Sequence, residues 1–90
     1  MANQYQVTCH KPDNADADRR IQGLGGVGGW YFEIDTIIAN IESGHWSLWT
    51  VANGESVWVI VAKRNNGRKY LKTEADGYEP NNLLALPVCP

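Results

Sequence analysis

Few side chains in this sequence are equipped for covalent chemistry. Its two histidines, His10 and His45, and its two cysteines, Cys9 and Cys89, could supply a tetrahedral zinc set if both chain ends met. Their spacings lack the Cys-x-x-Cys pattern by which one turn offers two thiolates to a metal. No serine or cysteine occupies a Gly-x-Ser-x-Gly nucleophile setting. Gly23-Leu-Gly-Gly-Val-Gly28 spells the string that brings a dinucleotide pyrophosphate against a helix N-terminus, but that chemistry needs a helix opening at the glycines. Here Trp30, Tyr31 and Phe32 follow, so the segment reads as a flexible loop. Asn14, Asp16 and Asp18 imitate the first ligands of a calcium loop, yet Arg19 stands where glycine is required and Gly25 where a bidentate glutamate belongs. Asp76 and Glu79 are neighbouring carboxylates, and an aspartate before Gly77 ordinarily bonds its own backbone to hold a turn. No catalytic residue, cofactor or metal ligand is assigned, and the chain is not expected to be an enzyme.

Two groups could instead bind. Lys63, Arg64, Arg68, Lys69 and Lys72 are five of the eight basic residues and surround Tyr70, so a positive turn and strand could track phosphates. The competing reading is a solvated hairpin whose charges discourage edge-to-edge pairing. A net charge of -2 also argues against a dedicated nucleic-acid binder. The second group is apolar: Trp49, Trp58 and Ile60, which leads to the element that carries them.

Trp46 to Ala52 and Glu55 to Ala62 are β-branched and aromatic runs joined by Asn53-Gly54, a pair suited to the positive φ angles of a type I′ turn. A two-residue loop sets Ala52 against Glu55, Val51 against Ser56, Thr50 against Val57, Trp49 against Trp58, Leu48 against Val59 and Trp46 against Val61. Alternation then places Trp46, Leu48, Thr50, Val57, Val59 and Val61 on one face, with Ser47, Trp49, Val51, Ser56, Trp58 and Ile60 on the other. Both faces are rich in apolar groups, so each needs a cover.

The remaining elements supply candidates. Tyr5, Val7 and Cys9 alternate with polar neighbours as a half-covered strand, and Lys11 to Asp18 reads as a surface loop. A second strand is expected over Arg19 to Leu24, followed by the glycine loop. Ile34, Ile37, Ile38 and Ile41 make one helical stripe, with Phe32 and Ile37 placed for a hydrophobic staple and Gly44 placed for a left-handed C-terminal cap. At least one of Trp30, Tyr31 and Phe32 should cap the helix start. A turn at Lys63 to Gly67 leads into a strand over Arg68 to Thr73. Whether Asn65-Asn66 or Asn66-Gly67 forms the loop, Tyr70 should join the Val57, Val59 and Val61 face and Leu71 the Trp58 and Ile60 face. Leu83, Leu84 and Leu86, between Pro80 and Pro87, should lie as an extended or single-turn cover over the hairpin face that the helix does not reach.

The expected fold is α+β: a small antiparallel sheet of four to five strands in β-β-α-β-β-β order, with one helix packed on one face. Residues 1–90 suffice for one domain, which buries only about 60 to 65% of its unfolded surface. Two widely separated cysteines with no leader pattern before them point to reduced thiols in the cytoplasm. The longest apolar run, Val57 to Ala62, is too short to span a membrane.

Tyr5-Gln-Val-Thr-Cys9, Lys69-Tyr-Leu-Lys-Thr-Glu-Ala-Asp-Gly77 and Asn81-Asn-Leu-Leu-Ala-Leu-Pro-Val-Cys89 together resemble an uncharacterised family of small, mainly bacterial proteins, domain of unknown function 3892. The resemblance implies a shared fold and a bacterial, non-secreted origin, and carries no catalytic residues. The expected role is a small cytoplasmic binding or protein-interaction module, alone or as a homodimer, with Trp49, Trp58 and Ile60 as its surface. Nucleic-acid contact through residues 63–72 is the second reading and an enzyme without a linear motif the third.

Overall fold

The computed structural model describes residues 3–77 and 79–90. Asn53 and Gly54 take φ of 54° and 81°, as a type I′ turn requires. Around that turn β4 (Trp46–Ala52) and β5 (Glu55–Lys63) pair from Ala52–Glu55 through Leu48–Val59 in the expected register. The other elements are β1 (Asn3–Pro12), β2 (Ile21–Gly26), β3 (Tyr31–Glu33), α1 (Ile34–Glu42), β6 (Lys69–Thr73) and the single turn α2 (Asn81–Leu84).

The class is α+β as expected, but the sheet is mixed and has six strands, ordered β3-β2-β1-β4-β5-β6. β1 and β4 run parallel, from Asn3 beside Trp46 to Gln6 beside Trp49. Parallel neighbours need a crossover, and β2, β3 and α1 provide it. Side-chain alternation is identical in both strand directions, so the sequence pattern does not distinguish this arrangement from an antiparallel one. The extra strand, β3, comes from the aromatic triplet. Instead of only capping the helix, Phe32 pairs with Leu24 of β2 and turns its ring into a half-buried cluster with Tyr5, Trp30 and Trp46.

β2 begins and ends two residues later than the expected strand and takes in part of the glycine string. A Cβ on Gly26 would stand 2.0 Å from the Gln6 carbonyl oxygen, and one on Gly25 2.8 Å from the Cys9 sulfur. These glycines are therefore close-approach positions in a strand, and only 27–29 form the turn.

Ile34, Ile37 and Ile38 of α1 are buried, with Ile41 partly so. The helix ends as expected. Gly44 at φ 81° donates to the Ile41 carbonyl, and His45 donates to the Asn40 carbonyl; this double bond pattern is a Schellman cap. The isoleucines form one core cluster with Val7, Ile21, Leu24, Leu48, Val59 and Leu71 of the sheet.

Three expectations about the far end of the chain are corrected. The β5–β6 connection is the five-residue stretch 64–68, with Lys63 opposite Lys69 and Val61 opposite Leu71. An odd loop reverses the parity given by a two-residue turn, so Leu71 enters the helix-side core and Tyr70 faces the other way. Leu83 is fully buried in that same core, so the leucine segment lies beside the helix and not over the opposite face. Cys9 and Cys89 form a disulfide with Cα atoms 4.9 Å apart, where reduced thiols were expected. The tail is seated on β1 by bonds from His10 N–H to the Pro87 carbonyl and from Cys89 N–H to the His10 carbonyl, which bring the two sulfurs together. Among the described residues no helix is long and apolar enough to cross a membrane.

Candidate interaction face

With α1 and the leucine turn on one side of the sheet, no helix or turn among the described residues forms a layer over the other side of β1, β4 and β5. Strand register decides its membership. In-register parallel neighbours share a side, so Gln4 joins Ser47 and Gln6 joins Trp49. The antiparallel pairs add Trp58 opposite Trp49 and Ser56 opposite Val51. Ile60 completes the row on β5. None of these residues carries a charge.

Trp58 is 43% exposed, a large value for an apolar side chain between paired strands, and Val51, near the hairpin turn, is 48% exposed. Trp49 and Ile60 are half-buried. Trp58 is held from its backbone: its N–H donates to the Glu74 carboxylate at 3.2 Å and its carbonyl accepts the Glu74 N–H at 2.9 Å. Both of its main-chain groups thus point away from β4, making Trp49 and Trp58 a non-hydrogen-bonded pair, the kind with the closest cross-strand approach. The two indoles, with Gln4, Ser56 and Val57, line a shallow cleft of about 210 Å³. Gln4 is the contributor that sequence reasoning missed. Alternation put it on the wet side of β1, and only the parallel pairing with β4 shows that this side adjoins the tryptophans.

The basic group does not form a free patch. Arg64 is buried, with Cζ 3.9 Å from the Tyr70 ring centroid. It donates to the Asp18 carbonyl at 2.7 Å and to Glu79 at 2.8 Å. Arg20 also reaches Glu79, at 2.9 Å. Hydrogen bonds from Arg64 and then Arg20 hold the Glu79 carboxyl below the usual range, against a smaller opposing effect of burial. Arg68 grips Asp16 with both terminal nitrogens, at 2.9 and 2.8 Å, and lies 3.3 Å from Asp18. Burial pushes the Asp16 carboxyl up, but the Arg19 N–H and the Arg68 guanidinium outweigh it, and the net displacement is downward. Lys69 pairs with Glu42 at 2.8 Å, and Lys72 donates to the Gly77 carbonyl at 2.7 Å. Lys63 lies exposed at the end of β5.

The acidic loop after β1 thus serves as counter-charge for the β5–β6 loop. Asp13 and Asp16 also accept backbone N–H groups two and three residues on, which shapes the loop from within. Asp76 accepts the Thr73 N–H and hydroxyl through one oxygen and the Asn82 N–H through the other. It joins the end of β6 to the first turn of α2, while Glu79 belongs to the arginines. The zinc tetrad also dissolves: both sulfurs are spent in the disulfide, and His45 Nδ1 lies 3.1 Å from the Ser43 hydroxyl.

No curated protein and no solved structure matches this chain. A family model described as protein of unknown function (DUF3892) matches residues 6–87. That stretch runs from within β1 through all the later described strands and helices to Pro87, most of the chain, and on this ground the chain belongs to the DUF3892 family.

Proposed function

We propose that the chain is a small binding or protein-interaction module without chemistry of its own, and that the neutral aromatic face of β1, β4 and β5 is where it meets its partner. The observation that carries this reading is the exposure of Trp58, in the paired middle of β5, on a sheet side whose opposite side holds the core, with Val51 exposed next to it toward the hairpin turn. Contiguous apolar surface rimmed by polar groups marks interaction sites, and tryptophan is the side chain most enriched at binding hot spots. The nucleic-acid reading draws less support, because Arg64, Arg68, Lys69 and Lys72 each hold an internal acceptor that a phosphate would have to displace. The disulfide weighs against the cytoplasmic location expected from the sequence, since reducing compartments rarely sustain such bonds.

A photo-reactive amino acid placed at Val51 and expressed in the natural host tests the face. Protein adducts from position 51, with none from the more exposed Val27 on the β2–β3 turn, are the expected result. An absence of adducts at 51 overturns the reading.

A further inference from the structure

Residues 87–90 are attached to the fold differently from the chain before them. Leu83 is fully buried and Leu84 and Leu86 pack against the core, whereas Pro87, Val88 and Pro90 are exposed and none of residues 87–90 belongs to the core cluster. Two hydrogen bonds, both on the main chain of His10, and the Cys9–Cys89 bond join this segment to β1. β1 pairs with β4 from Asn3 to Gln6. Farther along, at His10, the segment takes the place of a neighbouring strand through a parallel bridge to Val88.

The two sulfurs differ in access. Both cysteines are half-buried beside Gly25 of β2, where a Cβ would stand 2.8 Å from the Cys9 sulfur and 3.0 Å from that of Cys89. Two grooves adjoin the bond, one of about 500 Å³ bordered by Lys11 and Tyr31 and one of about 340 Å³ bordered by Thr8 and Trp30. Cys89 lines both, and Cys9 lines the smaller. Exposed residues flank Cys89 on either side, while Cys9 lies within β1, paired with Gly25.

We propose that this disulfide is a thiol-exchange site and the tail its latch: a dithiol protein of the thioredoxin class attacks Cys89, and reduction releases residues 87–90 from β1 while the fold persists. The thiolate of the reductant attacks the Cys89 sulfur, the S–S bond breaks, and Cys9 leaves as a thiolate that takes a proton from water. The second thiolate of the reductant then attacks its own sulfur in the mixed disulfide and frees Cys89, which is protonated in turn. Two electrons and two protons pass to the Cys9–Cys89 bond, and the reductant leaves as a disulfide. Which sulfur is attacked depends on access, and access favours Cys89. Neither sulfur belongs to the core cluster, so reduction removes a loop closure and no packed core group. The output is an unpaired stretch of β1 at His10, whose N–H and C=O become free to pair with an extended segment of another chain.

The test uses the oxidised full chain and a thioredoxin whose second active-site cysteine is replaced by serine, so that the mixed disulfide persists. After rapid quenching with an alkylating reagent, peptide mapping should find the reductase on Cys89 and the alkyl group on Cys9, with at least about tenfold preference over the reverse. Complete reduction by intact thioredoxin should bring the His10 and Cys89 amides to rapid hydrogen exchange while Leu48 and Val59 stay protected, and reoxidation should restore slow exchange. Three results would each overturn the proposal: no adduct on the native chain although the same bond reacts in urea, adducts shared evenly or found on Cys9, or loss of protection at Leu48 and Val59 on reduction.

Discussion

Arg64 stacks its guanidinium on the ring of Tyr70, 3.9 Å from the centroid, and the pair is almost wholly buried. The most buried cation of the basic stretch is thus a structural rivet. It holds the β5–β6 loop, the Asp18 carbonyl and Glu79 together, so three chain segments depend on one side chain.

Arg64→Ala should lower unfolding stability by roughly 2 to 3 kcal/mol, because it leaves the Asp18 carbonyl without this donor and Glu79 with Arg20 alone, and uncovers Tyr70. Arg64→Lys should recover less than half, since an ammonium cannot stack and fork at once. Lys63→Ala should stay within about 0.5 kcal/mol of wild type. Urea unfolding followed by tryptophan fluorescence measures all three, and equal losses at Arg64 and Lys63 would refute the distinction.

Acid should loosen the same region. Glu79 and Asp16 are both held below their ordinary values of 4.5 and 3.8, so they stabilise the fold where they are ionised in folded and unfolded chains alike. That contribution is complete above the ordinary values and is lost as pH falls through the lowered ones. Stability should be level from about pH 7 to about 5 and decline below about 4.5. Glu79→Gln should reduce stability at neutral pH and flatten the acid decline. A decline of unchanged steepness in that variant would assign the acid sensitivity elsewhere.

The Cys9–Cys89 bond spans a sequence separation of 80 residues. Closing a loop of that length removes denatured-state entropy worth about 4 kcal/mol, a large share of the roughly 5 to 10 kcal/mol expected for a domain this small. Reduction, or Cys89→Ser, should therefore lower the thermal midpoint by more than 10 °C. It should also free the tail from His10, seen as fast amide exchange at Cys89 while Leu48 and Val59 stay protected. A midpoint unchanged by reductant would contradict this.

The local elements were legible because their information is local. Asn53-Gly54 permits the positive φ pair, a two-residue loop sets the parity, and parity assigns Trp49 and Trp58 to one face. The isoleucine stripe and Gly44 likewise define a helix and its end within a dozen residues. The β5–β6 register failed on the same logic, because Arg64 prefers Tyr70, Asp18 and Glu79 to a tight turn. A five-residue loop accommodates those distant partners.

By itself, the sequence determined the hairpin register, the helix and its cap, and the existence of two faces that each want burying, all consequences of side-chain period and turn chemistry over short spans. Only the tertiary structure decided that β1 lies parallel to β4, that the leucine turn shares the helix-side core, and that the tail reaches Cys9. Those choices depend on which distant segments exclude water together most completely, a quantity summed over the whole chain and written in no local pattern. Their joint result is that one apolar side of the sheet was closed by the chain and the other was left open.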